Sequence, residues 1–250
     1  MKNRLKKLLI ASFLLAYVSS TTLTAEAKIY MPTEDYQIHT VKNDLIEDAA
    51  YNVLFIGNSI TIHPACNYWW GNWGMAASSA DKDYVHQVVE GLEKTYQTVD
   101  YDILSFSIWE RKEVRSNILP YISDVMSNNY NLVVIQLGDN VSSIKGFEND
   151  YETLVAYVKA AQPNAEIVLV GDYWYKKGRD AKKIAVAKRQ GAKYIDLSDF
   201  RKSPEFHAKD GDMVMGEDGQ LHSIDFHPVA LHPNDLGMKL ISDKILLSFE

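Results

Sequence analysis

The chain carries one cysteine, Cys66, in 250 residues. A single thiol closes no internal disulfide, and position 66 is too far from the N-terminus to hold a lipid. The fold therefore rests on its core alone. With 46% apolar and 11% aromatic residues, the chain has material for one α/β domain, and its length does not force two. Long runs of like charge are missing, as are low-complexity tracts and internal repeats, which removes charged tails and solenoid arrays. Positive charge is not in excess either: 26 Lys and Arg face 33 Asp and Glu, a net −7. An acidic chain with scattered cations offers no electrostatic footprint to nucleic acid or to an anionic membrane. Nothing in the sequence specifies an oligomeric state.

No apolar run is long enough to span a bilayer comfortably. Residues 8–18 come nearest, eleven residues broken by Ser12. Lys2, Arg4, Lys6 and Lys7 precede this run, and Ala25-Glu26-Ala27 follows it as a small-x-small cleavage pattern. Residues 1–27 are thus expected to be a secretory signal peptide, giving an exported protein, periplasmic or extracellular, without a stable membrane anchor. Four positive charges and one negative leave with it, so the remainder stands at −10. Residues 28–50 are polar and acidic, contain Pro32 and show no period; they read as an extension laid over the domain or only loosely attached to it. The domain itself is expected over 51–250.

What the domain does contain is alternation. Apolar strands are expected at 51–57, 101–107, 131–138, 165–171 and 193–197, and helices at 83–96, 117–127, 147–161, 180–190 and 235–249. Strands this apolar, separated by helices, make a parallel sheet covered on both faces. Five of them favour a flavodoxin-like three-layer α/β/α sandwich with strand order 2-1-3-4-5. Strands one and three are then neighbours at the switch point, where ligands bind beyond the C-terminal ends.

Two segments leave the sheet there. The first strand, Tyr51-Asn52-Val53-Leu54-Phe55-Ile56-Gly57, runs straight into Asn58-Ser59. Ser59 is the candidate nucleophile, at a turn whose free N–H groups point outward. The third strand runs into Gly138-Asp139-Asn140. The Asn140 amide could join the Ser59 N–H in holding an oxyanion, and Gly138 would let the backbone approach the substrate closely. The candidate base is His232, in Leu231-His232-Pro233-Asn234-Asp235-Leu236-Gly237, directly before the last helix. Each segment is also an ordinary turn or cap when taken alone.

Taken together, Gly57-Asn58-Ser59-Ile60-Thr61, Gly138-Asp139-Asn140 and His232-Pro233-Asn234 through Gly237 resemble the conserved blocks of the SGNH, or GDSL-like, hydrolases. The resemblance spans roughly residues 51 to 250 in fold order. It implies Ser59 and His232 as the catalytic pair, Ser59, Gly138 and Asn140 at the oxyanion, and no metal or organic cofactor. Two places depart from the family. The block after strand two reads Ser105-Phe106-Ser107-Ile108-Trp109-Glu110, without the family's glycine, so an N–H near Ile108 or Trp109 would have to serve. The acid normally three residues before the histidine is replaced by Val229. Either Asp225 reaches the imidazole through a longer loop, or the site is a Ser-His dyad whose ring is held by a backbone carbonyl.

His63, four residues after Ser59, reads as a turn or packing residue before Pro64. His222, Asp225 and His227 form an H-x-x-D-x-H group that could hold a metal, though its spacing matches no strong zinc signature. All five tryptophans, Trp69, Trp70, Trp73, Trp109 and Trp174, follow strand ends on the active-site rim. They are expected either to pack a loop layer or to offer faces to a sugar. The expected function is an exported carboxylic ester hydrolase working through an acyl-enzyme, with a small-molecule or polysaccharide ester as substrate. Family resemblance and the aromatic rim together favour an O-acetylated carbohydrate. The alternatives are a lipase or thioesterase of the same type, or a non-catalytic glycan-binding module on the same fold.

Overall fold

The structure is a computed structural model that describes residues 28–32, 38–40 and 51–249. The expected signal peptide and most of the 28–50 segment lie outside the described residues. Two short strands come first, β1 (Lys28–Pro32) and β2 (Ile38–Thr40). They are followed by β3 (Tyr51–Gly57), α1 (Tyr84–Glu93), β4 (Val99–Ser105), α2 (Ser107–Arg111), α3 (Ser123–Met126) and β5 (Leu132–Gln136). Next come α4 (Phe147–Ala161), β6 (Glu166–Val170), α5 (Arg179–Gln190) and β7 (Lys193–Ile195). A hairpin of β8 (Met213–Met215) and β9 (Leu221–Ser223), a short α6 (His227–Ala230) and α7 (Asp235–Leu247) complete the fold.

The main sheet runs β2-β1-β4-β3-β5-β6-β7. From β4 to β7 every pair is parallel, so the five expected strands lie in the expected order, 2-1-3-4-5. Two strands were not expected. β1 adds to the outer edge of β4 in parallel, and β2 folds back on β1 antiparallel. The N-terminal extension therefore contributes backbone to the sheet instead of only lying over it.

Alternation along each strand feeds two cores. Val53, Phe55, Val134 and Val168 face α1 and α7, where Val85, Val88, Met238 and Ile241 meet them. Leu54, Ile56, Val133 and Ile135 face the other layer, where Leu154, Val155, Val158 and Val186 of α4 and α5 meet them. Each such side chain, fully withdrawn from water, contributes about 1.5–3 kcal/mol, which is why these strands are apolar on both faces. Among the described residues no helix is long and apolar enough to cross a membrane.

Register positions the site. Gly57 lies opposite Ser105 on one side and Gln136 on the other. β4, β3 and β5 thus end level, and the segments that follow them emerge side by side.

Candidate active site

Ser59 sits in a tight turn directly after β3. Asn58 builds that turn: its carbonyl accepts from Thr61 N and Ile62 N, both at 2.9 Å, and its side-chain oxygen from Ile60 N at 3.0 Å. The turn is thus an Asx-type cap that also presents the candidate nucleophile. Among the described residues the Ser59 N–H has no acceptor, so it is available to a developing oxyanion.

The Ser59 hydroxyl lies 2.9 Å from His232 Nε2. His232 arrives from the segment between α6 and α7, and Asn234 fixes that segment. The Asn234 side-chain oxygen caps α7 by accepting from Gly237 N at 3.0 Å, while its amide donates to the carbonyls of Glu205 (2.7 Å) and His207 (3.1 Å). Gly237 is required here because a Cβ would stand 2.5 Å from the Phe206 carbonyl oxygen. Ala208 N closes the clamp on the His232 carbonyl at 3.0 Å.

His232 Nδ1 faces two backbone carbonyls, Pro228 at 3.0 Å and Val229 at 3.2 Å. Carbonyls only accept, so Nδ1 carries the hydrogen and Nε2 is the bare nitrogen that faces the Ser59 hydroxyl. Burial drives the ring pKa down from 6.5 to about 4; the two carbonyls oppose that shift and the nearby His63 adds to it. The ring is therefore neutral, and able to act as a base, throughout the neutral range. Trp174 packs edge-on against it, ring centres 4.8 Å apart, and is held by its own Nε1–H donating to the Leu231 carbonyl at 3.0 Å.

Asn140 follows β5. Gly138 takes φ +122°, a conformation L side chains rarely adopt, and turns the chain so that Asn140 shares the Glu110 carboxylate with Asn58 of the Ser59 turn. The loop is pinned from beneath. Arg179, almost fully buried at the start of α5, donates to the carbonyls of Asp139 (3.1 Å), Val141 (3.2 Å) and Trp174 (2.8 Å). Its Nε bonds Asp172 at 2.5 Å, and buried Lys183 lies 2.9 Å from the same carboxylate. One buried ion network thus fixes both the Asn140 loop and the Trp174 that backs His232.

No protein-family model matches the sequence, and no curated protein is similar to it. Solved structures do match. A two-domain esterase, CEX, active on acetylated mannans shares 20% identity at TM-score 0.54, over 80% of this chain and 49% of that one. The same esterase co-crystallized with mannopentaose gives TM-score 0.52 at 20% identity, over 80% and 50%. A protein from Parabacteroides merdae described as a GDSL-like lipase gives TM-score 0.51 at 14% identity, over 81% of this chain and 97% of that one. The fold is that of the SGNH/GDSL-like hydrolases. The present chain spans about half the length of the two-domain esterase it matches.

Placed on the SGNH frame, the expected residues sort clearly. Ser59, His232 and Asn140 converge on one rim. Gly138 shapes the loop, but its N–H is not free for an oxyanion: it donates to Glu110 Oε1 at 2.6 Å, which corrects that part of the oxyanion set. After β4, the Trp109 N–H is taken by the Phe106 carbonyl at 2.9 Å, leaving Ile108 as the remaining main-chain candidate of the two. Asp225 is exposed and bonds to neither nitrogen of His232. The main-chain oxygen of Val229, at the position where the family has its acid, holds the ring instead. Glu110 was missed by sequence reasoning, since a lone charged residue on a short helix normally reads as solvated.

The tryptophans divide. Trp69, Trp73 and Trp109 are buried and cannot offer a face to substrate, a correction to the expectation for these three. Trp69 and Trp73 meet edge to face at 5.7 Å within the loop layer, and Trp109 packs edge-on against Phe147 and Tyr151. Trp70 remains partly exposed, stacked on His222 with ring centres 4.6 Å apart, and Trp174 is partly exposed beside His232. The H-x-x-D-x-H residues go separate ways. His222 bonds Asp218 at 3.0 Å and His227 bonds Asp210 at 2.8 Å, and no metal-binding group of three gathers among the described residues. His63 bonds the Pro64 carbonyl at 2.8 Å through its ring, a turn residue as expected.

Proposed function

We propose that the protein is an exported serine esterase working through an acyl-enzyme. The observation that carries this reading is the 2.9 Å contact between Ser59 Oγ and His232 Nε2, with Nδ1 held by acceptor-only carbonyls. Ser59 Oγ attacks the ester carbonyl as His232 Nε2 takes its proton. The C–O bond to the leaving alcohol breaks as His232 returns that proton to it. Water then attacks the acyl-Ser59 ester with His232 again as base, releasing the acid and restoring Ser59. The Ser59 N–H and the Asn140 amide hold the oxyanion of both tetrahedral intermediates. The reaction as written needs no metal or organic cofactor.

For substrate, an O-acetylated carbohydrate is favoured. Trp174, partly exposed beside the base, could lie against the apolar face of a sugar, and Trp70 offers a second surface on the rim. The fold match to an esterase active on acetylated mannans supports the same class.

The test is turnover of p-nitrophenyl acetate by wild type and Ser59→Ala, with fluorophosphonate labelling of Ser59. The variant should lose at least ~10³-fold in kcat/KM and take no label. If wild type neither hydrolyses the ester nor is labelled, the chain is a binding module and the esterase reading fails.

A further inference from the structure

Glu110 lies on α2 and is 2% exposed. Its carboxylate accepts four N–H bonds. Oε1 takes the Asn58 side-chain amide at 3.1 Å, Gly138 N at 2.6 Å and Asn140 N at 3.2 Å; Oε2 takes the Asn140 side-chain amide at 2.6 Å. No ion pair joins it among the described residues; these four N–H groups are the partners of its two oxygens. One side chain from the end of β4 thereby ties down the segments leaving β3 and β5.

A carboxylate without a proton donates nothing, and that decides the orientation of both amides. Asn58 must turn its nitrogen toward Glu110. Its oxygen then faces Ile60 N, which is how the Ser59 turn is capped. Asn140 must likewise turn its nitrogen toward Glu110. One of its two hydrogens is used there, and the second remains on the nitrogen for an oxyanion. With the amide reversed, an oxygen lone pair would stand in that hydrogen's place and repel the developing charge.

We infer that Glu110 is a positioning residue that sets the amide orientation of Asn140, and so creates the side-chain oxyanion donor. This rests on the esterase reading for its kinetic consequence but not for its structural content. Glu110→Gln separates the two. Gln keeps one oxygen for Asn58 N–H, Gly138 N and Asn140 N, but sets an NH₂ against the Asn140 nitrogen. The Asn140 amide then reverses, while the Asn58 turn is kept.

Two measurements decide. In p-nitrophenyl acetate turnover, E110Q should lose ~10²–10³-fold in kcat with KM changed less than about threefold, the pattern of a lost transition-state contact. Asn140→Ala should lose a similar factor, and the double variant no more than Asn140→Ala alone. A double variant whose losses multiply would overturn the proposal. The second readout is the Asn140 side-chain amide in protein labelled with ¹⁵N-asparagine, its resonance assigned by its disappearance in Asn140→Ala. Wild type should show one downfield, slowly exchanging Nδ2 hydrogen, and E110Q should lose it. If wild type lacks that hydrogen, or E110Q keeps it, the proposal is wrong whether or not the protein turns over an ester. If E110Q does not fold, the wild-type spectrum still decides. If wild type shows the hydrogen but hydrolyses nothing, the esterase reading fails and the Glu110–Asn140 assignment stands.

Discussion

His232 has no carboxylate behind it, and its environment sets a measurable pH range for the proposed base. Two carbonyl oxygens hold its hydrogen on Nδ1, which fixes the tautomer as an acid would, but they bring no negative charge to stabilise an imidazolium. Burial moreover pushes the ring pKa down to about 4. The plot of kcat/KM against pH should therefore stay flat from neutrality to about pH 5 and fall only through about pH 4. A limb near the ordinary histidine value of 6.5 would contradict this geometry. Stability moves in the same direction. The folded ring binds its proton less readily than the unfolded one, so the contribution is intact above pH 6.5. It is lost as pH falls toward 4, and is on the order of 3 kcal/mol. Circular dichroism across the same range separates this unfolding from loss of the base. Asp225→Asn should leave kcat/KM within about twofold of wild type, because Asp225 is exposed and does not touch the ring; a loss beyond about tenfold would restore the triad. Ser59, Asn140 and His232 were legible because strand ends and a helix start have sequence signatures. The carbonyls holding Nδ1 were not, because every residue carries one and only the fold brings Pro228 and Val229 to the ring. Glu110 was hidden for a related reason: its donors come from two other segments, far away in sequence.

α5 links the two halves of the rim. Its first turn places Arg179, and its second places Lys183, against Asp172 at the end of β6, all three essentially closed to solvent. A buried carboxylate between two cations contributes little against an apolar replacement, but removing it alone strips Lys183 of its 2.9 Å partner and leaves Arg179 only Asp139, 3.7 Å away. Asp172→Asn should thus lower unfolding free energy by about 3–5 kcal/mol, read from the urea midpoint at unchanged slope. A shift under about 1 kcal/mol would mean that water or Asp139 replaces the lost charge. Legibility at this scale follows length and periodicity. Helix α4 was expected at 147–161 and forms there, since five apolar positions at helical spacing fill the core beneath it. Strand β4 lies two residues earlier than expected, at Val99–Ser105, because its register is set by pairing with β3 and not by its own pattern. The β8–β9 hairpin went unseen. Both strands are three residues long and mostly exposed, so they show no apolar alternation and depend on contacts such as Met215 N to the Ser78 carbonyl at 2.8 Å.

At the scale of the whole molecule, the sheet has one protected edge that sequence reasoning left bare. β4 would be an outer strand in a five-stranded sheet. Instead β1 pairs with it in parallel, Lys28 opposite Asp102 through Tyr30 opposite Leu104, and β2 covers β1 in turn. An uncovered edge of unpaired N–H and C=O groups is a template for another chain. β4 would be a poor edge, being buried along nearly its whole length, with Ile103 and Leu104 fully closed to solvent. This gives Lys28–Pro32 and Ile38–Thr40 a structural task that two chain lengths can test. A chain starting at Lys28 keeps both strands; one starting at Tyr51 loses them. The first should elute as a single species, with cooperative thermal unfolding. The second should melt several degrees lower, since a loss of about 1 kcal/mol moves the midpoint of a domain this size by ~2–4 °C, and should form higher-order species on size-exclusion chromatography as concentration rises. The candidate site is built from the far ends of β3, β5 and β6 and from the segment before α7, so on the esterase reading the monomeric fraction of the shorter chain should keep its reactivity toward a fluorophosphonate. Equal melting and equal elution for the two chains would show that β1 and β2 add nothing to the sheet. Loss of labelling in a folded monomer would show instead that the edge strands hold the register of β3, and with it the Ser59 turn.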